Sequence, residues 1–434
     1  MPFRKTKPTT GKQQALAQFR QHVSSSKAAF FKKYGMDFIM GERQGPHLHD
    51  LDGHKKLYNL HCNGGVFNLG HRNREIINTL QESLNHLDIG NHHLMSQPRA
   101  ALAKQLAALM PHGLEYTVFG VSGGEAIDLA IKVARGFTQR KKILSARGGY
   151  HGHTGLSIQA GDAHYRQPFQ LSSADFMQVP FNNPAALAAA LDDKVAAVLL
   201  ETIPATLGMP VPEQNYYRQV KELCRQHGAL LILDEVQTGL GRTGKLWAFE
   251  HFNVVPDMVV LGKGLSGGIY PVSATVLNKK LEAVFHADPF IHISTFGGAE
   301  LGCRVAQKVL SIASQPEFLQ HVNQLAEKFM GELQGLQQKH SPLFKGVHGL
   351  GLMLALEFTS ALAGPVLTKT AYANDLLLIY ANNDTARVQF LPPLTMQEGD
   401  IPYVIGQLDK AIRQLKRLLP LVKAKQAIAS FFNT

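Results

Sequence analysis

The sequence predicts an α/β fold built on a mainly parallel sheet, with a smaller α+β part assembled from both chain ends. Three observations carry this expectation. Between about residues 115 and 280, six short apolar runs alternate with amphipathic stretches: YTVFGV, KILSA, VAAVLLE, ALLILD, MVVLG and VSATVL. Several of these runs lack polar alternation, as strands buried on both faces of a parallel sheet do. Outside that block the texture changes to hairpin-like and long helical segments.

Each element has a local reason. Between VAAVLLE and ALLILD lies PEQNYYRQVKELCRQHG, where Pro212 suits a first helical turn and Gly228 a C-terminal stop. Tyr216, Val220, Leu223 and Cys224 fall on one face of that helix. Strand, helix and strand repeated in this way argue for crossover helices. HLHDLDGHKKLYNL reads as two short strands joined by an Asp52–Gly53 turn. From about residue 315 we expect a long helix, then HGLGLMLALEF as one strand, then RVQFLPPL and a helical tail. The expected organisation is a basic, flexible segment over residues 1–35, part of a small domain over 36–80, a large domain over 81–325, and the rest of the small domain over 326–434.

Composition excludes several function classes. Among 434 residues, 45% are hydrophobic and 18% charged, as in soluble globular enzymes. No apolar run approaches the ~20 residues of a membrane span. Three dispersed cysteines, Cys62, Cys224 and Cys303, make neither a disulfide framework nor a zinc cluster and fit a reducing, cytoplasmic setting. His47, His49, His92 and His93 lack a third ligand at suitable spacing, so no metal is expected. The formal charge of +11 is concentrated in the N-terminal segment and in KAIRQLKRLLPLVKAKQ, without a basic stripe interleaved with aromatics. A solvated basic surface, not a nucleic-acid interface, is the reading. The first 36 residues lack an acidic side chain and so weakly resemble a transit peptide, but lysine outnumbers arginine there and helical periodicity is poor, so a flexible bacterial-type N-terminus is expected.

Ligands of open α/β sheets gather at the carboxyl ends of the strands. Asp234 ends ALLILD, and Lys263 follows MVVLG between Gly262 and Gly264. Ser122, Gly123 and Gly124 follow YTVFGV, while Tyr150 and His151 follow KILSARGG. Singly, each has a plain structural reading as a turn cap, a helix start or a lysine reaching solvent. Together they suit one chemistry. The helix start in SGGEAIDLAIKVAR favours a phosphate, and a nearby lysine can form a Schiff base with an aldehyde. A carboxylate such as Asp234 would keep a pyridine nitrogen protonated, and Tyr150 could stack on the ring.

LILDEVQTGLGRTG, PDMVVLGKGLSGGIYPVSA and STFGGAELGC resemble the signature of class III (subgroup II, fold type I) pyridoxal-phosphate-dependent aminotransferases. VFGVSGGEAIDLAIKVAR and GGYHGHT are similar to that family's phosphate cup and ring-stacking motif, and YNLHCNGGVFNLGH and HGLGLMLALEF to its small-domain segments. The resemblance runs from about residue 40 to the C-terminus. It implies a seven-stranded-type sheet and pyridoxal 5'-phosphate held by Lys263, which would then move the proton between substrate Cα and cofactor C4′. Asp234 would pair with the ring nitrogen, Gln237 would lie near the phenolic oxygen, and Val236 would pack opposite Tyr150. Ser122, Gly123 and Gly124 would contact the phosphate, through backbone donors alone at position 124, where the family often has Thr. His151 and Glu235 would act as scaffold. Thr295 would reach the neighbouring subunit's phosphate, which implies a homodimer with shared sites.

Two positions depart from the family. Where many glutamate-using relatives carry an arginine, RVQFLPPL has Gln389; where they carry a gating glutamate, ETIPATLGMP has Thr206. Arg387 would share a strand face with Gln389 and could substitute. The donor is therefore expected to be an amine or amino acid not held in the usual α-carboxylate manner, with a 2-oxo acid or aldehyde as acceptor. Racemases, aminomutases and decarboxylating relatives share the scaffold. A catalytically idle binding protein is a further alternative, against which Lys263 and Asp234 speak.

Overall fold

The computed structural model describes residues 11–171 and 174–432. Its centre is a seven-stranded sheet in the order Leu114–Gly120, Ser273–Asn278, Met258–Leu261, Leu230–Asp234, Val195–Glu201, Lys142–Ala146 and Phe176–Val179. Only Ser273–Asn278 runs against its neighbours; the other paired strands are parallel. Val195–Glu201 and Leu230–Asp234 are buried along their whole length. That explains their unbroken apolar runs, because alternate side chains enter two different cores. Ala197, Leu199, Ile232 and Val260 pack with Ile127 and Ile131 of helix Gly123–Thr138. Val198, Leu200, Leu231 and Leu233 pack on the other face with Tyr217, Val220 and Trp247.

The helix expected from Pro212 starts later, at Tyr216. The preceding residues are drawn into tertiary contacts instead: Glu213 N–H donates to Asn182 Oδ1 at 3.1 Å and Gln214 Nε2 to the His251 carbonyl at 2.6 Å. Its end at Gly228 is as expected, with φ of +65°. HGLGLMLALEF is not one strand. It turns back at Gly351 to give Phe344–Leu350 paired with Met353–Phe358. Gly351 has φ of +57°, and a Cβ there would lie 2.4 Å from the Thr243 carbonyl carbon, so glycine alone fits the bend.

Both chain ends contribute to smaller sheets. Lys56–Asn59 pairs with His47–Asp50 on one side and, in parallel, with Leu376–Leu377 on the other. Asp384–Phe390 lies between Met353–Phe358 and Ile379–Ala381. Their core joins Tyr58, Phe329, Phe344, Phe390 and Leu408 beneath the helices Pro316–Lys339 and Ile401–Phe432. Within residues 1–35, residues 11–23 and 25–34 are helical, and residues 1–10 lie outside the described residues. Ser24 caps the helix Ser25–Tyr34, and Lys12 pairs with the buried Asp50 at 2.6 Å. Among the described residues no helix is long and apolar enough to cross a membrane.

Arg242 links the large sheet to the smaller ones. Its guanidinium, fully buried, donates to the carbonyls of Leu352 (3.1 Å) and Pro392 (2.7 Å) and to Asn68 Oδ1 (2.5 Å). Burial pushes its pKa down to about 10. Arg242→Met keeps the volume but strands three buried acceptors, at about 1–3 kcal/mol each. The expected outcome is a clear fall in the thermal midpoint at fixed scan rate, far beyond that of an exposed change such as Arg218→Met.

Candidate active site

The strand ends place two carboxylates side by side, because Glu201 and Asp234 are register partners. Asp234 is buried; its Oδ1 accepts the Val236 N–H at 3.0 Å and its Oδ2 accepts His151 Nδ1–H at 2.9 Å. His151 thus stands behind Asp234 as a fixed donor. Glu235 points to the other side, as extended geometry requires. There it accepts from Thr202 and Thr238 hydroxyls and from the N–H groups of Ala248 and Phe249.

Lys263 follows the next strand and has φ of +42°. A long side chain in the left-handed region stores about 1–3 kcal/mol of strain, which persists only where the surroundings impose it. Burial pushes its amine pKa down, while Asp234 and Glu201 push it back up. The loop that follows Lys56–Asn59 comes in close: a Cβ on Gly64 (φ +65°) would lie 3.2 Å from both Lys263 Cε and Gln237 Oε1. His61, in the same loop, is pushed down to about 4 by burial and by Lys263, so it stays neutral.

A cavity of 180 Å³ lies before these groups, lined among others by Gly123, Gly124, Tyr150, Glu201, Asp234 and Lys263. Another, of 280 Å³, opens beside Lys263 at Ser122, Ser266 and Tyr270. Val236 closes on Gly123, where a Cβ would approach Val236 Cγ1 to 3.0 Å. Tyr150 is braced edge-on by His153 and Tyr165, at 5.1 and 5.9 Å between centroids. Ser122 caps the helix Gly123–Thr138, accepting the Glu125 N–H at 3.2 Å. Thr154 Oγ1 lies 2.9 Å from where a Cβ on Gly124 would be, so another hydroxyl occupies that space.

The substrate-side residues are arranged differently from each other. Gln389 is buried, and its Oε1 accepts from Gln237 Nε2 at 3.3 Å. Thr206 Oγ1 donates to the Gly148 carbonyl at 3.1 Å and accepts from Asn383 Nδ2 at 3.2 Å. Arg387 is already engaged: Glu357 lies 3.5 Å and Asp384 3.3 Å from its guanidinium, and its Cδ lies against Gly208. Thr295 is exposed on the loop around residues 288–297 and lines neither cavity. Glu201 and Gly64 were not singled out by sequence. Glu201 carried a readable signal, since it ends VAAVLLE as Asp234 ends ALLILD.

Residues 31–412 match the family described as aminotransferase class-III. The chain belongs to the class III aminotransferases. An uncharacterized aminotransferase of Archaeoglobus fulgidus is 52% identical over 402 residues, which span 93% of this chain and 94% of that protein. The ornithine aminotransferase of Toxoplasma gondii ME49 superposes with a TM-score of 0.86 at 25% identity, over 94% of this chain and 97% of that one. The acetylornithine aminotransferase of Elizabethkingia anophelis gives 0.79 at 27% identity, over 94% and 100%. The mainly parallel α/β architecture read from sequence is thus that of the family's solved structures. Class III aminotransferases depend on pyridoxal 5'-phosphate. The site of this aminotransferase fits that group: an amine and a carboxylate face one cavity, glycines 64 and 123 leave close approaches, and Tyr150 and Val236 supply walls.

Proposed function

We propose that this aminotransferase moves an amino group from an amine or amino acid to a 2-oxo acid or aldehyde through Lys263, with a donor not held by an arginine–carboxylate pair. The observation that carries the reading is Lys263 in a strained turn beside the buried Asp234–His151 pair. Pyridoxal phosphate, when bound, supplies an aldehyde and an electron sink. Lys263 is the group to join the cofactor and later to carry the proton at substrate Cα. Asp234, oriented by His151, presents fixed negative charge to the ring nitrogen, while Tyr150 and Val236 confine the ring. Ser122, Gly123 and Gly124 provide the helix start for the phosphate, with Thr154 beside them.

Donor choice follows from the neutral pair at Gln237 and Gln389. A carboxylate there meets one amide donor instead of a charge-assisted fork, a difference of about 1–3 kcal/mol or roughly 5- to 150-fold in affinity. Arg387 supports no rescue, because Glu357 and Asp384 already balance it. Solved neighbours named for ornithine and acetylornithine make donors with a side-chain amine the first compounds to try. Purified protein should show faster loss of the cofactor's visible band with diamines, ornithine or β-alanine than with glutamate. Strong glutamate turnover that survives Arg387→Ala and Gln389→Ala would sink the donor reading.

The same reading includes a homodimer. Leu94, Met95, Phe290, Ile291 and Phe296 are exposed, with Thr295 among them. Such an apolar surface suits a second copy, onto whose phosphate Thr295 would reach. Sedimentation of the purified protein as a monomer at micromolar concentration would contradict it.

A further inference from the structure

Glu201 is a second carboxylate in the cavity, and the chemistry above does not use it. It is buried at the end of its strand, in register with Asp234. Its Oε1 accepts the Tyr150 N–H at 2.8 Å, and its Oε2 accepts the Ala205 N–H at 3.1 Å. These two N–H groups belong to different loops. One carries Tyr150 and His151; the other carries Thr206. Asn383 ties the same loops elsewhere, donating from Nδ2 to the Gly148 carbonyl at 2.9 Å and from its backbone N–H to the Thr206 carbonyl at 2.9 Å.

We propose that Glu201 is a positioning residue, holding the ring-wall loop at Tyr150 against the substrate loop at Ala205 and adding negative charge beside Lys263. The inference rests on the Lys263 reading given above. Both loop contacts are acceptor contacts, which the carboxylate anion makes with both oxygens at once. A neutral carboxyl or an amide gives up one of them. The groups facing Glu201 are Asp234 and His151 from the adjacent elements, Lys263, and the phenols of Tyr150, Tyr165 and Tyr217. Burial, with Asp234 adding to it and His151 opposing, pushes the Glu201 carboxyl up to about 7. The grip therefore strengthens as pH rises through neutrality. The charge acts on Lys263 in the opposite sense to burial, raising its proton affinity.

The test compares full-length wild type, Glu201→Gln and Glu201→Asp, each titrated with pyridoxal phosphate at pH 8 and then with pH in the loaded state. For Glu201→Gln we expect the dissociation constant for pyridoxal phosphate to rise about tenfold. We expect the pH midpoint of the visible band to fall by about one unit, because an anion near Lys263 is gone. Glu201→Asp, which keeps the charge but shortens the reach, should lose affinity while holding the midpoint. A Glu201→Gln protein with wild-type affinity and midpoint overturns the proposal. Should Glu201→Gln not fold, an aspartate variant with wild-type affinity overturns it equally. A wild type with no visible band at all overturns the lysine reading itself, and this inference with it.

Discussion

Lys263→Ala is expected to abolish transamination, lowering turnover by about 10³- to 10⁴-fold, near the upper range for a group that both binds covalently and transfers a proton. The visible band should vanish with it, and borohydride treatment of loaded protein should leave no label on the chain. Stability should move the other way. Lys263 holds a left-handed backbone and an amine whose charged form burial disfavours. Both are unfavourable to folding, so their removal should raise the thermal midpoint of cofactor-free protein. Lys263→Gly separates the two terms, since glycine adopts φ of +42° without a steric penalty. We expect the order of stability to be glycine above alanine above lysine, with about 1 kcal/mol between the first two. A cofactor-free glycine variant that melts below wild type would show that the backbone at Lys263 is not strained.

The parts of the site legible in the sequence are those set by neighbours along the chain. ALLILD ending in Asp234 and MVVLG leading to Lys263 mark strand ends, and a parallel sheet brings such ends to one edge whatever the intervening helices do. The hairpin at Gly351 was hidden for the opposite reason. HGLGLMLALEF has the apolar content of a strand throughout, and only the approach of Thr243, more than a hundred residues away, shows why glycine is needed there. Arg387 is a similar case. Its face on the strand was readable, but Glu357 sits opposite it through a pairing of strands that no local pattern specifies. That cross-strand acid turns a candidate substrate ligand into an internally balanced cation. The Gln237–Gln389 contact spans 152 positions and could only be found in three dimensions. Glu201 is different again, since its strand-end signal is present in the sequence, where it closes VAAVLLE as Asp234 closes ALLILD.

Asp234→Asn is the other change expected to have a large effect, and it isolates charge from shape. The amide is nearly isosteric and can still accept the Val236 N–H at Oδ1, so the loop should hold. What disappears is the anion that His151 orients toward the cavity. A nearby carboxylate raises the proton affinity of a basic nitrogen by about 1–3 units, and each unit is a factor of ten. Turnover at pH 8 should thus fall by about 10- to 10³-fold. Part of the loss should return as pH drops, because a ring nitrogen without its carboxylate can still be protonated by solvent. His151→Ala should cost less, since it frees Asp234 to rotate but leaves the charge in place. The ratio of variant to wild-type rate, followed from pH 8 to pH 6, checks the mechanism. A flat ratio would mean that Asp234 acts only as a brace for its loop, and that the pairing with His151 serves the fold and not the chemistry.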